Sequence, residues 1–239
     1  MDLEYRFPQI SKASHPGFRS VLEMGPRIFV AILFVLLRGT VSPASKPFNS
    51  VDPQDGWKLA AESNGVTIYS RLRAGSPVKE FKAIGEIDAT TRIVHAVIDD
   101  LENYPNFMPV TAECRLLKRE TDSIITYQRL SPKICADRDY TLRVRTKSWP
   151  VADGLVYLHQ WETANDLGPP EKRGVVRVKI CEGGWLFEPD GVEKTRATYS
   201  VYAGTGGAIP VFLANHVSQM EIGRLFVAVR KQTKDPKYR

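Results

Sequence analysis

Histidines and paired carboxylates are the residues of this chain that could do chemistry, and neither set has the spacing of a catalytic or metal site. The four histidines lie far apart, at His15, His95, His159 and His216. Asp99 with Asp100, and Asp137 with Asp139, are close in sequence but have the pattern of surface acids. A nucleophile elbow, a phosphate-binding loop and a His-Glu-x-x-His helix are all missing. We therefore expect no metal, no cofactor and no catalytic residue.

The composition predicts a globular protein with no nucleic-acid partner. The chain has 239 residues, of which 43% are hydrophobic, enough for a sizeable core. Its formal charge of +6 is spread among 27 acids, which favours a solvated surface over a nucleic-acid interface. The sign of the charge leaves a weak attraction to anionic membranes open. Cys114, Cys135 and Cys181 have no paired spacing, so we expect neither a zinc site nor a disulfide framework.

Residues 28–37 form an unbroken apolar run near the N-terminus. Ten residues are too few for a comfortable membrane span but are typical of the hydrophobic region of a secretory signal. Ser42 and Ala44 offer small residues before a cleavage point. We expect residues 1–44 to be a signal or anchor segment and the protein to be exported, periplasmic or secreted, with translation starting at Met24. The alternative is a protein anchored in the membrane by residues 28–37.

The rest of the chain has the pattern of strands interrupted by one helix. Residues 45–56 are rich in proline, asparagine and glycine and are predicted to be a linker. A helix is predicted around Ile93–Leu101, which ends before Pro105. The predicted strands cover residues 57–61, 66–72, 79–87, 112–120, 123–130, 137–147, 154–162, 174–181, 185–188 and 193–202. Short turns between them indicate antiparallel neighbours.

The last element is a predicted helix from Pro210 to about Gln232, roughly 30 Å long. Its apolar residues form two groups on nearly opposite faces: Leu213, Val217, Met220 and Val227 on one, and Ile222, Leu225, Phe226 and Val229 on the other. We interpret the first face as closing a cavity and the second as meeting a partner or membrane. The alternative is a helix with core on one side and a neighbouring element on the other. The predicted fold class is α+β, a curved antiparallel sheet gripping a long C-terminal helix.

Four local motifs occur in the order found in a known family. They are Glu62-Ser63-Asn64-Gly65-Val66, Asn103-Tyr104-Pro105-Asn106-Phe107-Met108, Asp137-Arg138-Asp139-Tyr140-Thr141-Leu142-Arg143 and Gly207-Ala208-Ile209-Pro210. With them, residues 57–234 resemble the START domain of the helix-grip (Bet v 1-like, SRPBCC) superfamily, in its bacterial exported type. The resemblance implies binding of one lipid or sterol-like molecule between the sheet and the final helix. Some members carry a charged pair inside the tunnel, and no basic residue lies on the corresponding face between Tyr140 and Val144.

Aromatic and aliphatic side chains supply the predicted walls of this cavity. The predicted ligand-binding residues are Tyr127, Leu142, Val144, Trp161, Val176, Trp185, Phe187, Leu213, Val217 and Met220. Such walls with a few polar groups are typical of ligand pockets. The alternative for each residue is that it simply fills the core.

The function predicted from the sequence is therefore lipid binding, with lipid transfer as its extension, without catalysis. Peripheral membrane contact is predicted through Ile222, Phe226 and Val229. One alternative is a polyketide cyclase or aromatase-like enzyme using the same cavity, which would need inward polar groups chosen from His159, Tyr127, Arg143 and Glu162. A protein-interaction module with a filled core is a third hypothesis.

Overall fold

Ten strands form one sheet in the computed structural model, which describes residues 46–133, 135–204 and 211–239, with the backbone alone for 211–218. The predicted signal or anchor segment, residues 1–44, lies outside the described residues. So does the glycine-rich turn before the last helix. In the described part of the chain, no helix combines the length and the apolar character needed to cross a membrane.

The sheet is antiparallel throughout except for one short parallel pairing. Its strands are β1 (Lys58–Ser63), β2 (Val66–Leu72), β3 (Lys79–Ile87), β4 (Thr111–Arg119), β5 (Ile124–Leu130), β6 (Arg138–Val151), β7 (Gly154–Thr163), β8 (Val176–Arg177), β9 (Cys181–Pro189) and β10 (Thr195–Ala203). The strand order is β1-β2-β3-β10-β9-β7-β6-β5-β4, and β8 pairs in parallel with the start of β6. The first three strands and the last two therefore lie side by side.

Three α-helices accompany the sheet in the described residues: α1 (Thr91–Asp99), α2 (Tyr104–Phe107) and α3 (Val211–Gln232). One-turn 3₁₀ helices lie at Pro53–Asp55, Leu101–Asn103, Asn165–Leu167 and Pro236–Tyr238. The predicted order of three strands, a helix, further strands and a long final helix is confirmed, and with it the α+β class.

Local sequence explains two of these boundaries. The β1–β2 turn uses Asn64 at φ 54° and Gly65 at φ 66°, the left-handed pair that a tight hairpin turn requires. At the start of α1, Thr90 Oγ1 accepts a hydrogen bond from the Ile93 backbone N–H at 3.4 Å. An Asn-Gly pair between two strands and a threonine just before a helix are both local sequence signals for these boundaries.

The predicted strand over residues 174–181 is wrong. Only Val176–Arg177 pairs with a neighbour, and Cys181 already belongs to the next strand. The reason is the long connection after β7, which holds Asn165. Its side-chain Oδ1 accepts from the Thr141 backbone N–H and its Nδ2 donates to Val178 O, both at 2.8 Å. These side-chain bonds replace ladder bonds that a longer strand would make.

The segment predicted as a linker packs against the sheet. Lys82, only 7% exposed, donates from Nζ to Phe48 O at 2.6 Å and to Ser50 O at 2.7 Å. Asn49 Nδ2 donates to Glu188 at 3.1 Å. Residues 46–56 thus cover part of the sheet.

The main core lies between one face of the sheet, called here the inner face, and helices α1 and α3. Fully buried members include Ile68, Phe81, Val97, Phe187 and Phe226. The C-terminal end of α3 is fixed to the β1–β2 turn, since the Arg230 guanidinium donates to the carbonyl oxygens of Asn64, Gly65 and Glu86.

Candidate functional site

A cavity of about 590 Å³ lies between the inner face of the sheet and the helices α1 and α3. The sheet contributes residues of β4, β5, β6, β7, β9 and β10, and the helices contribute residues of α1, α2 and the second half of α3. The described apolar lining residues are Ile98, Leu101, Met108, Val110, Ile124, Leu130, Leu142, Val144, Trp161, Val178, Trp185, Val201, Ile222 and Leu225. The described polar ones are Asp99, Tyr104, Thr111, Gln128, Cys135, Arg138, Tyr140, His159, Cys181, Tyr199 and Glu221, and Pro109, Pro132, Ala203 and Gly204 complete the lining.

Four of the predicted ligand-binding residues line this cavity: Leu142, Val144, Trp161 and Trp185. Alternate residues of a strand point to the same face, so Leu142 and Val144 follow Tyr140 along the inner side of β6. Trp161 is the cross-strand partner of Val144 and lies on the same face. The inward-facing side of β6 was predicted correctly, and ligand binding by the four residues stays a prediction.

Tyr127 and Val176 do not line the cavity, contrary to the prediction. Tyr127 points to the outer face, where its hydroxyl donates to Asp139 Oδ2 at 3.1 Å. The same carboxylate is paired with Arg177 at 2.7 Å. Burial, and then the charge of Asp139, raise the pKa of Tyr127 to about 12, so the phenol stays neutral. Val176 sits on β8 beside Arg177, at the margin of the sheet. The contacts of Tyr127, Asp139 and Arg177 stabilise the outer face.

Two further predicted residues lie outside the cavity wall. Phe187 is fully buried in the core, against the rings of Trp185 and His159. Met220 is 45% exposed on α3 and faces away from the core. The predicted contacts Leu213 and Val217 fall on side chains outside the described residues.

The predicted orientation of α3 is wrong in its second half. Ile222, Phe226 and Val229, predicted as outer membrane contacts, are 4%, 0% and 0% exposed. They face the sheet, whereas Met220 and Val227 are exposed. The spacing of residues 222, 225, 226 and 229 is one continuous helical stripe, and that stripe forms the buried face.

His159 is a cavity-lining histidine with both ring nitrogens engaged. Nε2 lies 3.0 Å from Nδ1 of His95, and Nδ1 lies 3.1 Å from Thr146 Oγ1. His95 in turn stacks on Tyr157 at 4.2 Å between ring centroids. Burial, reinforced by His95, lowers the pKa of His159 to about 3, and burial also lowers the pKa of His95. The pair is therefore neutral near pH 7 and already satisfied within the protein.

The other polar groups named for the enzyme alternative point away from the cavity. Arg143 contacts Glu120 through Nε at 3.4 Å, and Glu162 pairs with Arg145 at 2.7 Å on the outer face. Within the described residues, no group of three or more His, Cys, Asp or Glu side chains is arranged to hold a metal ion.

Sequence reasoning missed the polar end of the cavity, at the start of β6. Arg138 and Gln128 both line it, and Gln128 is the cross-strand partner of Tyr140. The parity that places Tyr140 and Leu142 inside also places Arg138 inside. Arg138 lies two residues before the stretch from Tyr140 to Val144, on which this face has no basic residue.

Comparison with known proteins agrees with this fold. The family described as polyketide cyclase/dehydrase and lipid transport matches residues 87–226. An uncharacterised protein of Pseudomonas aeruginosa is 33% identical over 162 residues, which cover 67% of this chain and 78% of that protein. The phosphatidylcholine transfer protein of Mus musculus is 27% identical over 162 residues, covering 66% of this chain and 75% of that protein.

A solved structure with the same fold is the crystal structure of a STAR-related lipid transfer protein fragment from Xanthomonas axonopodis. It has a TM-score of 0.66 and 29% identity, and the alignment covers 76% of this chain and 100% of that fragment. Since the family match spans more than half of the chain, the chain belongs to the polyketide cyclase/dehydrase and lipid transport family, and its curved sheet with a long C-terminal helix is the START helix-grip fold.

Proposed function

We propose that the protein binds a lipid or another hydrophobic small molecule in the cavity between the sheet and α3, and transfers it between membranes. The observation that carries this proposal is the cavity itself, about 590 Å³ with mainly apolar walls. Pockets that bury a small ligand occupy about 300–1,000 Å³ and have few polar groups. Similarity to a phosphatidylcholine transfer protein and to a STAR-related lipid transfer protein supports a lipid as the ligand.

The hydrophobic effect sets what such a carrier must provide. Moving a hydrocarbon chain of about 16 carbons from an apolar environment into water costs roughly 13 kcal/mol of free energy, at about 0.8 kcal/mol per methylene. Leu142, Val144, Trp161 and Trp185 on the sheet and Ile222 on α3 offer apolar surface on both sides of the cavity. A hydrocarbon chain that contacts both sides of the cavity would avoid most of this free-energy cost.

We propose that the protein is a carrier and not an enzyme. A general acid or base needs a nitrogen or oxygen that can reach the substrate. His159 has both nitrogens bonded within the protein. Tyr127, Arg143 and Glu162 do not line the cavity. The family description includes polyketide cyclases, but none of the inward groups expected for such chemistry is available in the described residues.

We also propose that the protein is exported, on the strength of the apolar run at residues 28–37. N-terminal sequencing of the product from the extracytoplasmic fraction tests this. A new N-terminus near Ser45 is expected, and an unprocessed protein in the cytosol would contradict export.

Filling the cavity tests the binding proposal. Val144→Trp adds an indole to the middle of the wall, and Val192→Trp adds the same group at a turn position that is 86% exposed. We expect Val144→Trp to abolish uptake of a pyrene-labelled fatty acid from vesicles, while Val192→Trp leaves uptake unchanged. Circular dichroism confirms that both variants fold. Equal uptake by the two variants would show that the lipid does not occupy this cavity.

A further inference from the structure

The wall of the cavity on the side of α3 carries a carboxylate. Glu221 lines the cavity together with Ile222 and Leu225 of the same helix. Glu221 Oε1 accepts a hydrogen bond from Arg224 Nη1 at 2.7 Å, three residues farther along α3. The Arg224 side chain is 59% exposed and that of Glu221 is 24% exposed, so the ion pair lies where the cavity wall meets the protein surface.

The second carboxylate oxygen of Glu221 has no donor. In the described part of the chain, two buried side-chain atoms of cavity-lining residues lack a hydrogen-bond partner, Glu221 Oε2 and Trp161 Nε1. The Trp161 indole interacts with the thiol of Cys181, whose sulfur is a weak acceptor. Native proteins pair the large majority of their buried polar atoms, because a buried acceptor without a donor costs free energy. Glu221 Oε2 therefore needs a donor.

The sheet side of the wall offers donors instead. The Tyr140 hydroxyl donates to Gln128 Oε1 at 3.1 Å, which leaves the Gln128 amide nitrogen as a donor without a hydrogen-bond partner among the described residues. Burial raises the pKa of Tyr199, so this hydroxyl also keeps its proton. Asp99, the other described carboxylate of the wall, is exposed on α1, where solvent reaches it. A buried acceptor without a donor thus distinguishes the α3 side.

The negative charge of Glu221 is already balanced by Arg224. The guanidinium lies 2.7 Å from Oε1, so the group that Oε2 lacks is a donor rather than a second cation. An ammonium group would have to leave water for a cavity with mainly apolar walls, which is costly. A hydroxyl group is neutral, costs less to transfer, and forms a charge-assisted hydrogen bond with a carboxylate. The chemistry of the site therefore favours a hydroxyl group.

We propose that Glu221 accepts a hydrogen bond through Oε2 from a hydroxyl group of a neutral lipid, whose hydrocarbon chain lies against Ile222, Leu225 and the apolar residues of the sheet. This inference rests on the proposed lipid-binding function and adds the class of ligand and the place of its head group. A lipid whose head group has no donor would leave the buried oxygen unpaired.

Three lipids with hydrocarbon chains of the same length separate the possibilities: 1-oleoylglycerol carries free hydroxyl groups, methyl oleate keeps the ester but has no donor, and oleylamine carries an ammonium group. Each is titrated into the full chain while tryptophan emission is followed, because Trp161 and Trp185 line the cavity. We expect 1-oleoylglycerol to bind about ten-fold more tightly than methyl oleate, which corresponds to about 1.4 kcal/mol. Oleylamine should bind less tightly than 1-oleoylglycerol.

Variants then test the residue itself. Glu221→Met removes the acceptor and should lower the affinity for 1-oleoylglycerol to that for methyl oleate, while methyl oleate binds as it does to the wild type. Glu221→Gln should keep part of the preference, because the amide oxygen still accepts a hydrogen bond but carries no charge. Glu162→Met is the matched control, since Glu162 pairs with Arg145 at 2.7 Å on the outer face and should leave all three affinities unchanged.

The outcomes separate this inference from the function on which it rests. Binding of none of the three lipids by the wild-type chain would overturn the lipid-binding proposal itself. Tighter binding of oleylamine than of 1-oleoylglycerol would overturn the assignment of a hydroxyl group. Equal affinity for 1-oleoylglycerol and methyl oleate, an equal loss for both in Glu221→Met, or a preference that survives in Glu221→Met would overturn only the role of Glu221.

Discussion

The two faces of the strand pair β5–β6 are built from alternating residues of the same segments, yet they are organised in opposite ways. On the outer face, Tyr127, Asp139 and Arg177 are 0%, 1% and, for the arginine side chain, 8% exposed, and these three side chains bond to one another through the Asp139 carboxylate. On the inner face, Gln128 and its neighbours border open space. The outer face is closed by a buried ion pair, and the inner face is left unfilled.

This difference distinguishes polar side chains that are paired within the protein from polar side chains that border the cavity. A buried charge is tolerated only when it is paired and hydrogen-bonded, as Asp139 is. An amide nitrogen that borders a cavity, as in Gln128, is free to bind a ligand.

The largest effect on stability is expected from a substitution that breaks the ion pair on the outer face. Asp139→Ala leaves the Arg177 charge buried without its partner and removes the acceptor of the Tyr127 hydroxyl. We expect a loss of about 3–5 kcal/mol in the free energy of unfolding, measured by urea denaturation. Arg145→Ala, which breaks the exposed pair with Glu162, is the control and should leave the urea midpoint unchanged. Similar midpoints for the two variants would contradict a structural role for the Asp139 pair.

An intermediate effect on stability is expected from a change of pH, through His159 on the inner face. Its pKa is lowered to about 3 by burial, whereas a histidine in the unfolded chain titrates near 6.5. Between these values the unfolded state binds a proton that the folded state excludes. The stabilising contribution is therefore complete above pH 6.5 and is lost as the pH falls, by about 2 kcal/mol between pH 6.5 and pH 5.

The test is the unfolding free energy of the wild type and of His159→Gln, measured from pH 7.5 to pH 5. The variant keeps a polar side chain beside His95 and Thr146 but does not titrate, so its stability should fall less steeply on acidification. Equal slopes would mean that His159 titrates normally in the folded protein.

The smallest effect on stability is expected from shortening a side chain of the cavity wall. Val144 borders the cavity, so Val144→Ala should cost less than about 1 kcal/mol, because little packing is lost. Val97 is fully buried on α1, and Val97→Ala should cost about 2 kcal/mol. Urea denaturation of both variants measures the difference. An equal cost would indicate that the interior is packed solid at Val144.

Most of the fold was predictable from the sequence because its signals are local. Asn64-Gly65 marks a hairpin turn, Thr90 caps α1, and period-two alternation marks the strands. The bounds of β3 were predicted to the residue. Each of these features is decided by neighbouring residues, so distant contacts did not alter them.

The site was predicted less well because it depends on which face of each strand and of α3 is turned towards the cavity. The parity of β5 is set by its register with β6, and this turned Tyr127 outward. Apolar residues lie on both sides of α3, and the wrong side was predicted to face the sheet; the side with Phe226 is the buried one. Phe187 shares the inner face with Trp185 but lies farther along β9, where the core is filled.

Native mass spectrometry of the full chain, followed by extraction and identification of any bound lipid, tests the central claim most directly. We expect one lipid molecule per chain, or uptake of one when the bare chain is mixed with lipid vesicles. A chain that is bare as isolated and takes up no lipid from vesicles would contradict the account.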